Sequence, residues 1–396
     1  FSSSGDFQGL IDGLDGLKDL GVTILWLMPI HPIGKELRKG RLGSPYSIRD
    51  YYAVNPDFGT LDDFERLVME VHHRDMRIIL DMVPNHSAWD NTLLQEHPEW
   101  FSRDASGQIV APNSDWTDVA DFNYEQPGLQ KYIRDMLNWW VREYDVDGFR
   151  IDVAELMPAD FWAETRTSLK AADPDIFLLA EGSRPYLHVS GFDATYAFNT
   201  FNKFISLANG FSDVSAIHQT MKAEQGSYPQ GSLRMRFLEN HDQRRAAEVI
   251  ASEQRLVAAS VGIFLLPGLP MLYNGSELGL DHRLELFDRD PIQWDTGSEG
   301  YRSLLRELFA LRKQYPALIN GEYRPHDVAP NVLAYSRHHG NESVLVLVNF
   351  GEQKVNVELP TVANLIGELL LSTDGIIYLP DENLVILEPF SGAVLR

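Results

Sequence analysis

Residues 148–156 read GFRIDVAEL, and the alternation within them decides the fold. Phe149, Ile151 and Val153 alternate with Arg150 and Asp152, which is the two-residue period of a β-strand. The segment just before, LQKYIRDMLNWWVREY (129–144), repeats apolar residues at helical spacing. A strand that follows such a helix is usually parallel, covered on both faces and apolar throughout. A guanidinium and a carboxylate on one face of it therefore need a reason, and a polar mouth at the end of the strand supplies one.

The same helix–turn–strand unit recurs on both sides of this stretch. LIDGLDGLKDLG runs into VTILWLM (22–28), and LDDFERLVMEVHHRD runs into RIILDMV (77–83). ADFWAETRTSLKAA precedes IFLLA (176–180), and FDATY (192–196) follows. RMRFL (234–238) and PMLYN (270–274) complete seven strands. Helices alternating with strands at this interval predict βαβ units and a parallel sheet. With GYRSLLRELFALRKQY (300–315) as the last helix, seven strands stand against eight helices. The chain opens on a loop, FSSSGD, that leads straight into a helix. The expectation is that one more strand belongs before Phe1, and that the full set closes an α/β (β/α)8 TIM barrel.

Two segments break the rhythm. Residues 87–121 follow the third barrel strand and lack clear periodicity, which predicts an inserted loop domain; such long loops are more often functional than accidental. From about 318 the texture changes to VLAYSRHHGNESVLVLVNFGEQKVNVELP and NLVILEPFSGAVLR. Short alternating strands separated by Gly, Asn and Pro predict a C-terminal antiparallel β domain over 318–396, which leaves 1–317 to the barrel.

Composition excludes several function classes. A chain of 396 residues that is 44% hydrophobic can bury one large core and a smaller one. A net charge of −23 argues against nucleic acid and anionic membrane surfaces as partners, and suits a neutral or cationic ligand. The absence of cysteine removes disulfides and thiolate chemistry. No apolar run is long enough to span a bilayer.

Four strand ends carry polar groups: Asn85 and His86; Arg150 and Asp152; Glu181; and Asn240, His241 and Asp242. Singly, each has a structural reading, as an ion pair, a helix cap or a turn. A barrel brings strand ends to one mouth, and four such ends there favour a site. Nucleophile elbow, phosphate-cradling loop and HExxH are all absent from the sequence. Three carboxylates with an arginine and two histidines are the equipment for glycoside cleavage. Arg150, two residues before Asp152, is expected to hold that carboxylate ionised for attack, and burial behind IFLLA is expected to keep Glu181 protonated.

DMVPNH (81–86), GFRIDVAEL (148–156), LLAEG (178–182) and FLENHD (237–242) resemble, in order and spacing, the four signature regions of the α-amylase family of glycoside hydrolases, family 13. ADFN (120–123) resembles its fifth motif, and YNGSELG with FDRDPIQWD (287–295) its eighth-strand loop. The resemblance covers essentially the whole chain. It implies a barrel with an inserted loop domain and a C-terminal β domain. Position by position it implies Asp152 as nucleophile, Glu181 as general acid/base and Asp242 as the carboxylate that grips sugar hydroxyls. It implies substrate contacts for His86, Arg150 and His241, an aromatic platform in Tyr46, and a structural role for Asp81 in orienting Arg150. Trp89, Trp100 and Trp116 of the insertion could stack on outer sugars, although aromatics in a small domain more often form its core.

The chain departs from the family pattern in places. Glu155 and Leu156 stand where many members have a Lys-His pair that serves substrate grip and calcium. Asn85 and Asp121 match calcium ligands of some members, so a structural calcium is possible, while bracing of the loop is the alternative. Val153 after the nucleophile resembles members that cut α-1,6 bonds or small oligosaccharides. The resemblance thus implies a retaining hydrolase of α-1,4 bonds in starch-derived glucans and maltooligosaccharides, with no cofactor needed for the chemistry; the sequence does not fix the location, with secreted or periplasmic slightly favoured. The alternatives are an α-glucan transglycosylase and a cyclomaltodextrinase- or neopullulanase-like enzyme with α-1,6 activity. A non-catalytic barrel subunit is a remote reading, because all three carboxylates are present.

Overall fold

The computed structural model describes residues 5–250, 252–359 and 367–396. The opening FSSS, read above as part of a loop, and Pro360, read at the end of a C-terminal strand, lie outside them. The chain divides into two compact units, Phe1–Tyr196 with Glu285–Ile292, and Ala197–Leu284 with Gln293–Arg396.

The first unit is built on five parallel strands that pair in chain order: Ile24–Leu27, Arg77–Met82, Gly148–Ile151, Phe177–Ala180 and Ala194–Tyr196. All five fall inside stretches that the sequence predicts. Helix Phe7–Leu20 begins where the Asp6 carboxylate accepts from the Gly9 N–H at 2.8 Å, a cap worth about 1 kcal/mol. It stops at Gly21, whose φ of 101° suits a residue without Cβ. Helix Pro127–Tyr144 opens on a proline, where the missing N–H costs nothing, and buries Leu129, Ile133, Met136, Leu137 and Trp140 on one face. Glycine is required at 148 because a Cβ there would lie 2.0 Å from the Phe177 carbonyl oxygen. That close approach sets the register in which Arg150 pairs with Asp81 on one side and Ile151 with Ala180 on the other.

The inserted segment has more order than its sequence shows. His86–Ala88 pairs antiparallel with Val119–Asp121, and a short helix, Leu93–Glu96, lies between them. Three-residue strands are too short to display a period.

In the second unit, strands Leu233–Arg236 and Leu269–Pro270 pair in parallel; the first overlaps the predicted 234–238, while the second is two residues long and shares only Pro270 with the predicted 270–274. Helix Glu299–Gln314 is followed by a short helix, Pro316–Asn320, so the first antiparallel strand starts at Glu322 and not at 318. A five-stranded sheet takes the order Glu322–Ala329, Val332–His339, Glu342–Asn349, Gly392–Leu395, Leu369–Ser372. A three-stranded sheet of Val355–Glu358, Leu384–Leu387 and Ile377–Leu379 shares an apolar core with it through Ala334, Leu345, Leu347, Val357 and Val385. Three buried arginines close the C-terminal end of helix Glu253–Phe264. Arg312 donates to the carbonyls of Phe264, Leu266 and Gly268, Arg337 to Leu265, and Arg236 to Pro267. The last carbonyl of the helix and the four that follow it thus receive cationic donors, a favourable charge at the negative end of the helix dipole. Among the described residues no helix is long and apolar enough to cross a membrane.

Candidate active site

Asp152 and Glu181 each stand one residue beyond the last paired residues of neighbouring strands, Ile151 and Ala180. Main-chain bonds fix both positions: Asp152 N–H donates to the Met82 carbonyl and Glu181 N–H to the Ile151 carbonyl, each at 2.9 Å. Pairing of adjacent strands therefore delivers the two carboxyls side by side. Arg150, fully buried, organises them. Its Nη1 donates to Asp81 Oδ1 and to Asp152 Oδ1, both at 2.8 Å, and its Nε donates to the Tyr196 hydroxyl at 3.1 Å. Its Nη2 forms an ion pair with Glu181 Oε2 at 2.9 Å. The guanidinium also lies 5.4 Å from the Trp26 ring, 5.6 Å from Tyr46 and 5.8 Å from Tyr196. These faces stabilise a buried cation.

Asp81 orients the arginine, as its motif position implied. Its Oδ2 also accepts from the Tyr46 hydroxyl at 3.0 Å and the Trp26 indole at 3.2 Å. Tyr46 is therefore held by its hydroxyl, with its ring oriented by the same carboxylate that orients Arg150.

The electrostatics correct one expectation. Arg150 was to hold Asp152 in its ordinary ionised range, yet burial pushes the Asp152 carboxyl well above it. Arg150 opposes this, while Glu181 and Asp81 add to it. One cation serves three carboxylates, so its effect is divided, and the desolvation that a sequence cannot display prevails.

Two further groups shape the loops beyond the strands. Val153 adopts φ 39°, ψ 45°, a left-handed conformation that is strained for a β-branched residue, and its N–H donates to Glu181 Oε2 at 2.8 Å. His86 is buried, and burial drives its pKa down to about 4 against the opposing effects of Asp118 and of a hydrogen bond to the Tyr46 backbone. It is thus a neutral imidazole, with Nδ1 3.2 Å from Asn85 Nδ2. The Trp116 ring lies against it at 5.5 Å. Trp100 instead stacks on His97 at 3.8 Å and is buried, and the Trp89 indole donates to the Thr117 carbonyl, so both serve the insertion.

The other two candidates belong to the second unit. His241 and Asp242 follow strand Leu233–Arg236, with His241 Nε2 3.0 Å from Asp242 Oδ2. Asn240 Oδ1 accepts from the Asp242 and Gln243 N–H groups at 3.0 and 2.9 Å, which closes the turn. Buried Glu239 staples its base, accepting from Arg245, Ser276 and the Ala246 N–H.

Asp121 pairs with Ser102 and burial raises its pKa, and the Asn85 amide faces His86. Among the described residues no three His, Cys, Asp or Glu side chains gather as a metal site. Calcium takes six to eight oxygens, and Asn85 and Asp121 line one groove with Asn123 and Glu125.

The sequence did not single out Trp26 or Tyr196 as site residues. Their signal is faint: each is an aromatic with a hydrogen-bonding tip near the end of an apolar strand.

Parallel strands alternating with helices, ending in carboxyls grouped on a buried arginine, define the α/β-barrel glycoside hydrolase class. Comparison with known proteins makes the family explicit. The α-amylase catalytic-domain family matches residues 2–118 and 100–327, and the α-amylase SusG C-terminal domain family matches 332–394. The chain belongs to the α-amylase family. An α-amylase of known structure from Lactobacillus plantarum is 34% identical, with a TM-score of 0.91 over 100% of this chain and 96% of that one. A noncanonic maltogenic α-amylase from Thermotoga neapolitana is 33% identical, with a TM-score of 0.85 over 98% and 92%. A cyclomaltodextrinase of Geobacillus thermopakistaniensis is 29% identical over 90% of this chain and 64% of its own length. The chain thus spans less than two thirds of the length of that curated relative. The fold class of the family, a barrel followed by antiparallel β structure, is also that of this chain.

Proposed function

We propose that the protein is a retaining hydrolase of α-1,4 bonds in starch-derived glucans and maltooligosaccharides. The observation that carries this reading is the single guanidinium of Arg150 joined to both Asp152 and Glu181 at neighbouring strand ends. Adjacent carboxyls of this kind suit a double displacement. Asp152 Oδ1 is engaged by Arg150, so Oδ2 attacks the anomeric carbon. Glu181 Oε2 accepts from the Val153 N–H and is ion-paired with Arg150 Nη2, so Oε1 carries the proton and gives it to the departing glycosidic oxygen. In the second step Oε1 takes a proton from water, whose oxygen attacks the anomeric carbon and releases Asp152.

Burial favours the neutral form of Asp152, and the attacking form is its carboxylate, with the proton on Glu181 where it can pass to the leaving group. Asp242 and His241 enter the reading through their motif alone, as a grip on sugar hydroxyls. No step runs through calcium.

A second reading, opening of cyclic dextrins, is favoured by the name of one relative, the cyclomaltodextrinase. Transfer to sugar acceptors is less favoured. Leu156, at the Lys-His position of other members, is exposed and lines a groove of about 570 Å³ with Met157, Asp121 and Tyr124. An apolar side chain there offers an acceptor sugar no hydrogen bond. A time-resolved product profile on maltoheptaose, pullulan and β-cyclodextrin tests the substrate reading. Preferred cleavage of maltoheptaose supports it, and selective attack on β-cyclodextrin replaces it with the second.

A further inference from the structure

Residues 153–155 grip the strand end that carries Glu181 at three points. The Val153 N–H holds the Glu181 carboxylate, and the Ala154 N–H donates to the Glu181 main-chain carbonyl at 3.1 Å. The third point is the Glu155 side chain: its Oε1 accepts from the Ser183 N–H at 2.5 Å and the Arg184 N–H at 3.0 Å. Glu155 thus clamps the chain two residues beyond the acid/base. The Arg184 guanidinium stands 3.7 Å from its other oxygen, and the Tyr186 hydroxyl donates to its main-chain carbonyl at 3.4 Å. Between the two segments Gly182 leaves room for the clamp, since a Cβ there would lie 2.8 Å from both Glu155 Cγ and Oε1.

We propose that Glu155 is a positioning residue for Glu181. The proposal rests on the reading of Glu181 as acid/base and assigns its aim to the segment that follows the nucleophile. A carboxyl that must place a proton on a leaving oxygen loses rate when its backbone shifts by a fraction of an ångström. Two main-chain N–H groups bound to one carboxylate oxygen fix that backbone from the C-terminal side, while the left-handed Val153 fixes the carboxylate itself. The strain at Val153 turns its N–H toward Glu181, which gives it a use.

The test separates aiming of the acid from simple loop stability. Glu155→Ala, Glu155→Gln and Glu181→Gln are compared on maltotriose and on α-maltosyl fluoride, whose leaving group needs little protonation. Glu155→Ala is expected to lower kcat/KM, which reports the first displacement, by about 10–100-fold on maltotriose and by less than about threefold on the fluoride. Glu155→Gln keeps an acceptor oxygen and is expected to restore most of the maltotriose rate. Equal losses on the two substrates, or no loss on maltotriose, overturn the proposal. If Glu181→Gln itself fails to distinguish the substrates, the acid/base reading falls instead. Should Glu155→Ala not fold, Gly182→Ala, which displaces the Glu155 side chain, carries the same expectation. A folded Gly182→Ala protein that cleaves maltotriose at the unmodified rate overturns the clamp.

Discussion

Replacing Asp152 by Asn is expected to remove activity and raise stability together. The amide keeps an oxygen for Arg150 Nη1, now at 2.8 Å from Asp152 Oδ1, so the geometry of the cluster persists. What disappears is the nucleophile. Because a covalent step is deleted, kcat should fall at least on the order of 10³-fold, about 4 kcal/mol of transition-state stabilisation. Stability should move the other way. Burial holds the Asp152 pKa well above its ordinary value, with Arg150 shared among Asp81, Asp152 and Glu181. A group whose folded pKa is raised contributes stability that is complete below its unfolded value, near pH 4, and is lost as pH rises through the folded value. Asn escapes that loss. The variant should therefore be the more stable at pH 8, by something on the order of 1 kcal/mol or roughly 1–2 °C for a chain of this length. The difference should shrink as pH falls toward 4. Thermal unfolding of both proteins across this range, beside turnover of maltotriose, gives the readings. A folded variant that keeps a tenth of the activity refutes the nucleophile. A variant less stable at pH 8 refutes the charge argument.

The remaining predictions are simpler. Glu239→Ala leaves Arg245 buried without its carboxylate and should destabilise the second unit by about 3–5 kcal/mol, read by denaturant unfolding; a change under 1 kcal/mol would remove the staple from the account. His86, with its pKa lowered to about 4, keeps stability that is complete above about pH 6.5 and is lost as pH falls toward 4, so His86→Gln should flatten the fall of Tm over that window; an unchanged slope contradicts this. Tyr46→Phe removes the donor to Asp81 but keeps the ring, and should lower kcat/KM by about 3–10-fold; an unchanged value argues that Asp81 needs no donor there. On low-millimolar maltotriose, reducing ends should rise in step with shorter products, and early products longer than the substrate would mark a transferase.

How much of this was legible in the sequence varies with the physics. Strand periodicity and the polar strand ends were plain, because alternation in GFRID and the apolar runs of RIILD and IFLLA survive without coordinates. The pairing of Asp81 with Arg150 followed from motif position and appears as a 2.8 Å bond. The direction of the Asp152 shift was not legible, since it depends on burial and on how many carboxylates share one guanidinium. Nor was the order within 87–121, whose strands are three residues long. Glu155 looked like a departure in a substrate-gripping position, and only the fold shows its carboxylate turned onto the Ser183 and Arg184 N–H groups. The arginines on the 264–268 carbonyls come from three distant segments, a convergence that no local pattern signals.

The central claim is that Asp152 attacks and Glu181 protonates from one side-by-side pair, which predicts carboxyls about 5–5.5 Å apart and a retained anomeric configuration. The most direct test is proton NMR of the anomeric signals in the first minutes of maltoheptaose cleavage, before mutarotation. The account predicts that the new reducing ends appear as α-anomers and convert to β only later. Early β-anomeric product would mean a single displacement by water and would contradict the account.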